Sequence, residues 1–256
     1  MFRLATVLIF AFALAGCSRT GDGPGETIEK PASSDRRALT AGDLKLFLAI
    51  VRGHEGAVIP EFTPLDEDEA LDFEAPAAEL LASFRSQFKR LFDPERQGAI
   101  WQRDGEWSRA LKASKTSPQR FAALVRDVSL AIMRVRLEAR VDLDQLVAQA
   151  RREVSRAERV MNQIDKVPPN QRTREAASLR TRSVQQLGRS VALLEFAELV
   201  RQVPPESGTV VRRFSRELKP LLPASVNDEL LAELKELVSG GPGQVEPAVY
   251  ETPQDE

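Results

Sequence analysis

Glycine and proline are nearly absent from the middle of this chain. Between Glu106 and Ser207 there is one glycine, Gly188, and between Gln119 and Val167 there is no proline. A β-protein needs turn residues about every 8–12 positions, so this stretch excludes a sheet and leaves helix. The helix starts are marked. Thr40 precedes Asp43 as a capping pair, as Ser225 precedes Asp228, and Asp93-Pro94 and Ser117-Pro118 each offer a cap followed by proline at the first helical position. The stops are Val167-Pro168-Pro169, Val203-Pro204-Pro205 and Gly240-Gly241.

The apolar spacing agrees. Ala77, Leu80, Leu81, Phe84, Phe88, Leu91 and Phe92 form one helical stripe. Phe121, Leu124, Val125, Val128, Ile132, Val135 and Ala139 form a second, with Leu130, Met133, Leu137 and Val141 on another face, which predicts a central helix. Leu143, Val147, Ala150, Val154, Ala157, Met161 and Ile164 alternate in steps of four and three, a heptad seam. Val184, Leu187, Val191 and Leu194 continue it after the corner at Pro168-Pro169-Asn170, so the two helices fold back antiparallel. Val210, Val211, Phe214 and Leu218 mark a further helix, and Leu230, Leu231, Leu234, Leu237 and Val238 a last one. The expected fold is an all-α multi-helix bundle of about seven or eight helices, with a long antiparallel pair near 142–202. Whether residues 118–166 make one helix or two is open, with Asp142 either a cap or an interior residue.

Composition excludes several chemistries. One Cys allows no intrachain disulfide and no multi-cysteine metal cluster, and one His argues against a histidine-based zinc or iron site. No metal and no cofactor are expected. A net charge of −2 argues against a globally basic nucleic-acid binder.

The lone cysteine has a context. Arg3 is followed by a run from Leu4 to Ala15 that is apolar except for Thr6, too short to span a hydrocarbon core that needs about 20 residues, and right for a signal-peptide core. It ends in Leu14-Ala15-Gly16-Cys17, which resembles the lipobox of bacterial lipoproteins. The resemblance implies that Cys17 takes a diacylglycerol, that residues 1–16 are removed, and that the new amine receives a further acyl chain such as palmitate. Two or three chains hold a protein firmly where one does not. In the enterobacterial sorting rule Asp after the acceptor Cys retains a lipoprotein at the inner membrane. Ser18 stands there, so the resemblance implies the periplasmic side of the outer membrane. Residues 17–39 then form a Gly-, Pro- and Ser-rich tether reaching roughly 25 Å as a coil, residues 40–239 one helical domain, and residues 240–256 an acidic tail.

Charge is segregated along the mature chain. Residues 40–117 carry a net −4, residues 118–219 a net +8, and residues 220–256 a net −7. Eighteen of the 20 bases in the middle block are arginines. Arg151, Arg152, Arg156 and Arg159 lie on one helix of the pair, and Arg172, Arg174, Arg180, Arg182 and Arg189 on the next. Three arrangements fit: a solvated face partly neutralised by Glu153, Glu158 and Glu175; a face covered by Asp66-Glu67-Asp68-Glu69 and the acidic tail; or a face turned to an anionic surface of lipid, lipopolysaccharide or wall polymer. Nucleic acid is not an expected partner, because no stacking aromatics interleave with these arginines.

Other candidate residues read as structural. His54, in Arg52-Gly53-His54-Glu55-Gly56, is a loop histidine after a glycine cap, with no nucleophile motif beside it. Trp101 and Trp107 flank Asp104-Gly105; at least one is expected in the core beside Phe84 and Phe88, the alternative being that the two line a ligand groove. Glu206-Ser207 is superficially similar to the catalytic Glu-Ser pair of lytic transglycosylases. No Gly-Leu-Met-Gln stretch follows it and Tyr250 is the only tyrosine, so Pro205-Glu206 reads as a helix start. No residue is assigned a catalytic role. The expected function is a lipid-anchored, non-catalytic scaffold or interaction module of the cell envelope, with the membrane and an envelope protein as partners. Two alternatives stay open: an envelope hydrolase using carboxylates on wall or lipid, and a binder of anionic membrane or wall polymer through the Arg-rich pair.

Overall fold

The computed structural model describes residues 37–65 and 72–222. The expected signal segment with Cys17, the expected tether up to residue 36, the run Asp66-Glu67-Asp68-Glu69, the expected last helix and residues 240–256 lie outside the described residues. Among the described residues there is no strand, and nine α-helices follow one another. They are α1 (Ala41–Arg52), α2 (Ala77–Leu91), α3 (Pro94–Arg103), α4 (Gly105–Ala113), α5 (Pro118–Glu138), α6 (Leu143–Ile164), α7 (Arg174–Arg201), α8 (Pro205–Arg213) and α9 (Ser215–Leu218). The number exceeds seven or eight in part because Asp104 ends α3 and starts α4 at once. Its carboxylate accepts from the amides of Glu106 (2.9 Å) and Trp107 (3.1 Å).

The caps act as their sequence positions dictate. Ser117 accepts from the Arg120 amide (3.2 Å) and Asp93 from the Glu95 amide (3.0 Å). Asp142 accepts from the amides of Asp144 (2.8 Å) and Gln145 (3.2 Å). This divides residues 118–166 into two helices, with Ala139 exposed in the corner between them. Thr40 and Asp43 form a reciprocal capping box, the Thr40 hydroxyl accepting from the Asp43 amide (3.1 Å) and the Asp43 carboxylate from the Thr40 amide (2.9 Å).

Two apolar clusters form the core. The larger gathers α1, α3, α4, α5, α8 and the C-terminal end of α7. Helix α5 is its centre, touching α1, α3, α4, α7 and α8, and it buries Phe121, Val125 and Val128 on one face and Leu130, Met133 and Leu137 on the other. The smaller cluster is the α6–α7 seam, with Val147, Ala150, Val154, Ala157 and Met161 against Val184, Leu187, Val191 and Leu194, capped by Ala77 and Leu80 of α2.

Two glycines mark where elements approach most closely. At Gly98 of α3 a Cβ would lie 2.8 Å from the Gln119 amide nitrogen and 2.9 Å from the Pro118 carbonyl carbon, so α3 rests directly on the first turn of α5. At Gly188, the one glycine of the long helical stretch, a Cβ would meet the Phe84 ring at 2.9 Å. Phe84 therefore packs on α7 and not beside the tryptophans. The expected grouping of Trp101 and Trp107 with Phe84 is corrected accordingly, because the two ends of α2 serve different clusters. Phe88 keeps an indirect link, through Phe92 and Phe62 to Trp101.

Two outcomes follow. Alanine at a mid-helix glycine ordinarily gains about 1 kcal/mol from propensity. Gly98→Ala is expected instead to lower stability by about 2 kcal/mol, since backbone atoms cannot step aside as a side chain can; urea unfolding measures it. The second concerns acid. Burial pushes the Asp43 carboxyl up, but hydrogen bonds from the Thr40 hydroxyl and amide and the charges of Arg37 and Arg120 outweigh it and hold the group below its ordinary value. A depressed carboxyl stabilises the fold above its unfolded-state pKa of about 4 and loses that contribution as pH falls. The destabilisation by Asp43→Asn, about 1 kcal/mol at pH 7, is therefore expected to shrink progressively below about pH 4.

Candidate functional site

The arginines of the α6–α7 pair divide into two groups with opposite roles. Arg180 is buried, 2% exposed, although it lies on the helix that reads as a basic face. Its guanidinium meets the Asp165 carboxylate through Nε (2.6 Å) and Nη2 (3.2 Å), and donates to the carbonyls of Phe73 and, at 2.8 Å, Ala75. Arg172 joins the same cluster. It donates to the Val167 carbonyl (2.9 Å), to Asp165 (2.9 Å) and to Glu74 (2.8 Å). Hydrogen bonding to Asp165, aided by the charges of Asp165, Glu74 and Asp72, holds the Arg180 proton more tightly than usual, against a burial effect that acts the other way. The cluster ties three pieces of chain together: the end of α6, the start of α7 and residues 72–75. Solvation of Arg172 and Arg180 as part of an open face is thus corrected.

The sequence carried a signal for this that charge alone hid. Arg180 stands four residues before Val184 and so occupies the seam register of Val184, Leu187, Val191 and Leu194. A charge in a seam position must be matched inside, and Asp165, one residue beyond the apolar seam of α6, is where an antiparallel partner would supply the match.

The second group faces water. Arg151, Arg152 and Arg159 of α6 are exposed and Arg156 is half-buried. Arg151 pairs with Glu198 of α7 (2.8 Å). Arg152 donates to the Gln149 side-chain oxygen (2.8 and 3.2 Å) and Arg159 to the Ser155 carbonyl (3.3 Å), neutral acceptors that leave the guanidinium charges in place. Of the acids read as neutralising this helix, Glu153 is buried and accepts from Gln149 (3.2 Å), and Glu158 is half-buried.

His54 follows the cap at Gly53, as its sequence position predicts. Its ring stacks on Trp107 (centroids 4.0 Å apart, 17° between planes), and Nε2 lies 3.3 Å from the Glu106 carboxylate. Trp107 is itself buried against Trp101 and Phe121. The imidazole thus covers the edge of the aromatic core. Glu206 is exposed in the first turn of α8, and the buried Ser207 hydroxyl accepts from the Leu39 amide (3.0 Å), which seats the entry of the chain into the domain. Gln97, fully buried, was not foreseen. Its side chain holds Thr63 by a paired hydrogen bond (3.0 Å each way) and also donates to the Leu91 carbonyl, pinning the loop after α1 onto α3.

Among the described residues no group of three or more His, Cys, Asp or Glu is placed to hold a metal, and no helix is long and apolar enough to cross a membrane. Comparison with family models, curated proteins and solved structures finds no match for this chain.

The two groups of arginines respond differently to substitution. Arg180→Met takes from Asp165 its two-point partner, leaving it Arg172 alone, and unpairs two carbonyls; it is expected to cost about 3 kcal/mol in urea unfolding. Asp165→Asn shares that loss, so the double variant falls well short of the sum. Arg152→Ser changes stability by less than about 0.5 kcal/mol.

Proposed function

We propose that this chain is a lipid-anchored helical module of the bacterial envelope that works by holding and presenting a binding surface, and not by catalysis. The observation that carries the reading is the Leu14-Ala15-Gly16-Cys17 tetrad closing a short apolar run behind Arg3. Acyl chains on Cys17 attach the protein to the membrane, and Ser18 directs it to the periplasmic side of the outer membrane. The tether delivers the chain to Leu39, which is buried and bonded to Ser207, so the anchor pulls on the core of the bundle and not on a loose end. The reading is also supported by how the polar interior is used. Arg180, Gln97 and Ser207 each meet partners that hold the fold. The partner on this reading is an envelope protein.

Cys17→Ala tests the anchor. The wild-type protein is expected to stay with membranes through a high-salt wash and to carry an acylated N-terminal cysteine by mass spectrometry, and the variant made without residues 1–16 to lose the acyl chains and, with them, its resistance to the wash. An unacylated wild-type N-terminus, or a variant lacking residues 1–16 that still resists the high-salt wash, contradicts it. Turnover of a wall or lipid substrate by the purified domain contradicts the non-catalytic part.

A further inference from the structure

The outward line of α6 has a pattern that the four-arginine cluster did not reveal. Arg152, Arg159 and Lys166 recur every seven residues, with Lys166 just beyond the helix end. Seven residues are close to two helical turns, so the three share one line, about 10 Å apart along the axis. The seam residues Val147, Ala150, Val154, Ala157 and Met161 are buried, and the basic line lies on the opposite side, with all three residues exposed. The residues filling that side between them, Ser155, Asn162 and Gln163, are neutral and exposed.

The acids of α6 are all directed elsewhere. Asp144 pairs with Arg201 (3.2 Å) and Asp165 holds Arg172 and Arg180. Glu153 is buried, and Glu158 is half-buried beside the seam. A helix with one base in every two turns and no acid on its outer line presents a straight positive edge of roughly 20 Å. Arg174 and Arg182 of α7 are exposed and extend the positive character of the pair.

A basic edge with no acid along it is complementary in charge to an anionic surface. We infer that the outward line of α6, Arg152, Arg159 and Lys166, docks the domain on an anionic phospholipid surface, the basic side chains meeting headgroup phosphates. This rests on the envelope reading for its biological setting but not for its chemistry. The Cys17 chains fix the protein to a bilayer, and the tether is long enough for the domain either to stand away or to lie down. Contact through α6 selects the second posture.

The test uses residues 17–256 bearing Cys17→Ala, so that neither an acyl chain nor the apolar run before Cys17 contributes and the acidic tail is present as a competitor. Vesicles of phosphatidylcholine with 30% phosphatidylglycerol are compared with pure phosphatidylcholine at about 50 and 300 mM salt. Binding is expected only to the anionic vesicles, weakening at least tenfold at the higher salt. Each base near an anionic bilayer adds about a factor of five, so the triple variant Arg152→Ser, Arg159→Ser, Lys166→Ser is expected to bind about 100-fold more weakly. Helical circular dichroism and the urea midpoint of that variant are expected to match the parent. A second triple variant, Lys45→Ser, Lys89→Ser and Lys112→Ser, removes equal charge from other exposed helix positions and is expected to weaken binding far less. Equal binding to neutral vesicles, equal loss in both triple variants, or no vesicle binding by the parent would each overturn the inference, and none of these outcomes bears on acylation of Cys17.

Discussion

Moving a guanidinium out of water costs several kcal/mol unless its donors are matched in good geometry. Arg180 satisfies this condition with the Asp165 carboxylate and two backbone carbonyls, and Arg172 closes the cluster from the corner side. The matching is possible only if α6 ends at Asp165, α7 returns beside it, and residues 72–75 cross their junction. One buried charge therefore fixes the length of a helix, the register of an antiparallel pair and the path of the segment that leads into α2. The apolar seam alone would tolerate a slip of one heptad, whereas the arginine would not.

The rest of the bundle depends on close approach where side chains are small. Gly98 lets α3 lie on the first turn of α5, and Gly188 receives the Phe84 ring. Through these contacts the α6–α7 pair and the α5-centred cluster share α2 and α7, each helix contributing one end to each cluster. The aromatic residues concentrate accordingly. Phe62, Phe92, Trp101, Trp107 and Phe121 gather around α3–α5, and the long pair is built from Val, Leu, Ala and Met.

Local signals made most of this architecture legible. Thr40, Asp93, Ser117 and the Pro168-Pro169 corner declare their roles within four residues of chain, and the seam on α6 and α7 declares itself by period. What stayed hidden depends on partners distant in sequence. The burial of Arg180 needs Phe73 and Asp165, the holding role of Gln97 needs Thr63, and the place of Phe84 needs Gly188. Charge blocks in particular mislead, because a count of arginines adds the two that brace the corner to those that face water. Sorting them by register, seam for Arg180 and outward line for Arg152 and Arg159, separates structural from surface charge. The proposal of a lipid anchor at Cys17 rests on sequence alone, on the resemblance of Leu14-Ala15-Gly16-Cys17 and the run before it to a lipobox.

In this account the arginines inside the pair hold its register, which leaves the outer line of α6 to make contact with an anionic bilayer. An environment-sensitive fluorophore on a single cysteine tests the division most directly, with Cys17→Ala as background. Placed at Ser155, on the outer line of α6, the probe should shift to the blue when anionic vesicles are added and stay unchanged with neutral ones. Placed at Ala113, exposed at the end of α4, it should respond to neither. A silent probe at Ser155, or equal shifts at the two positions, would contradict the account.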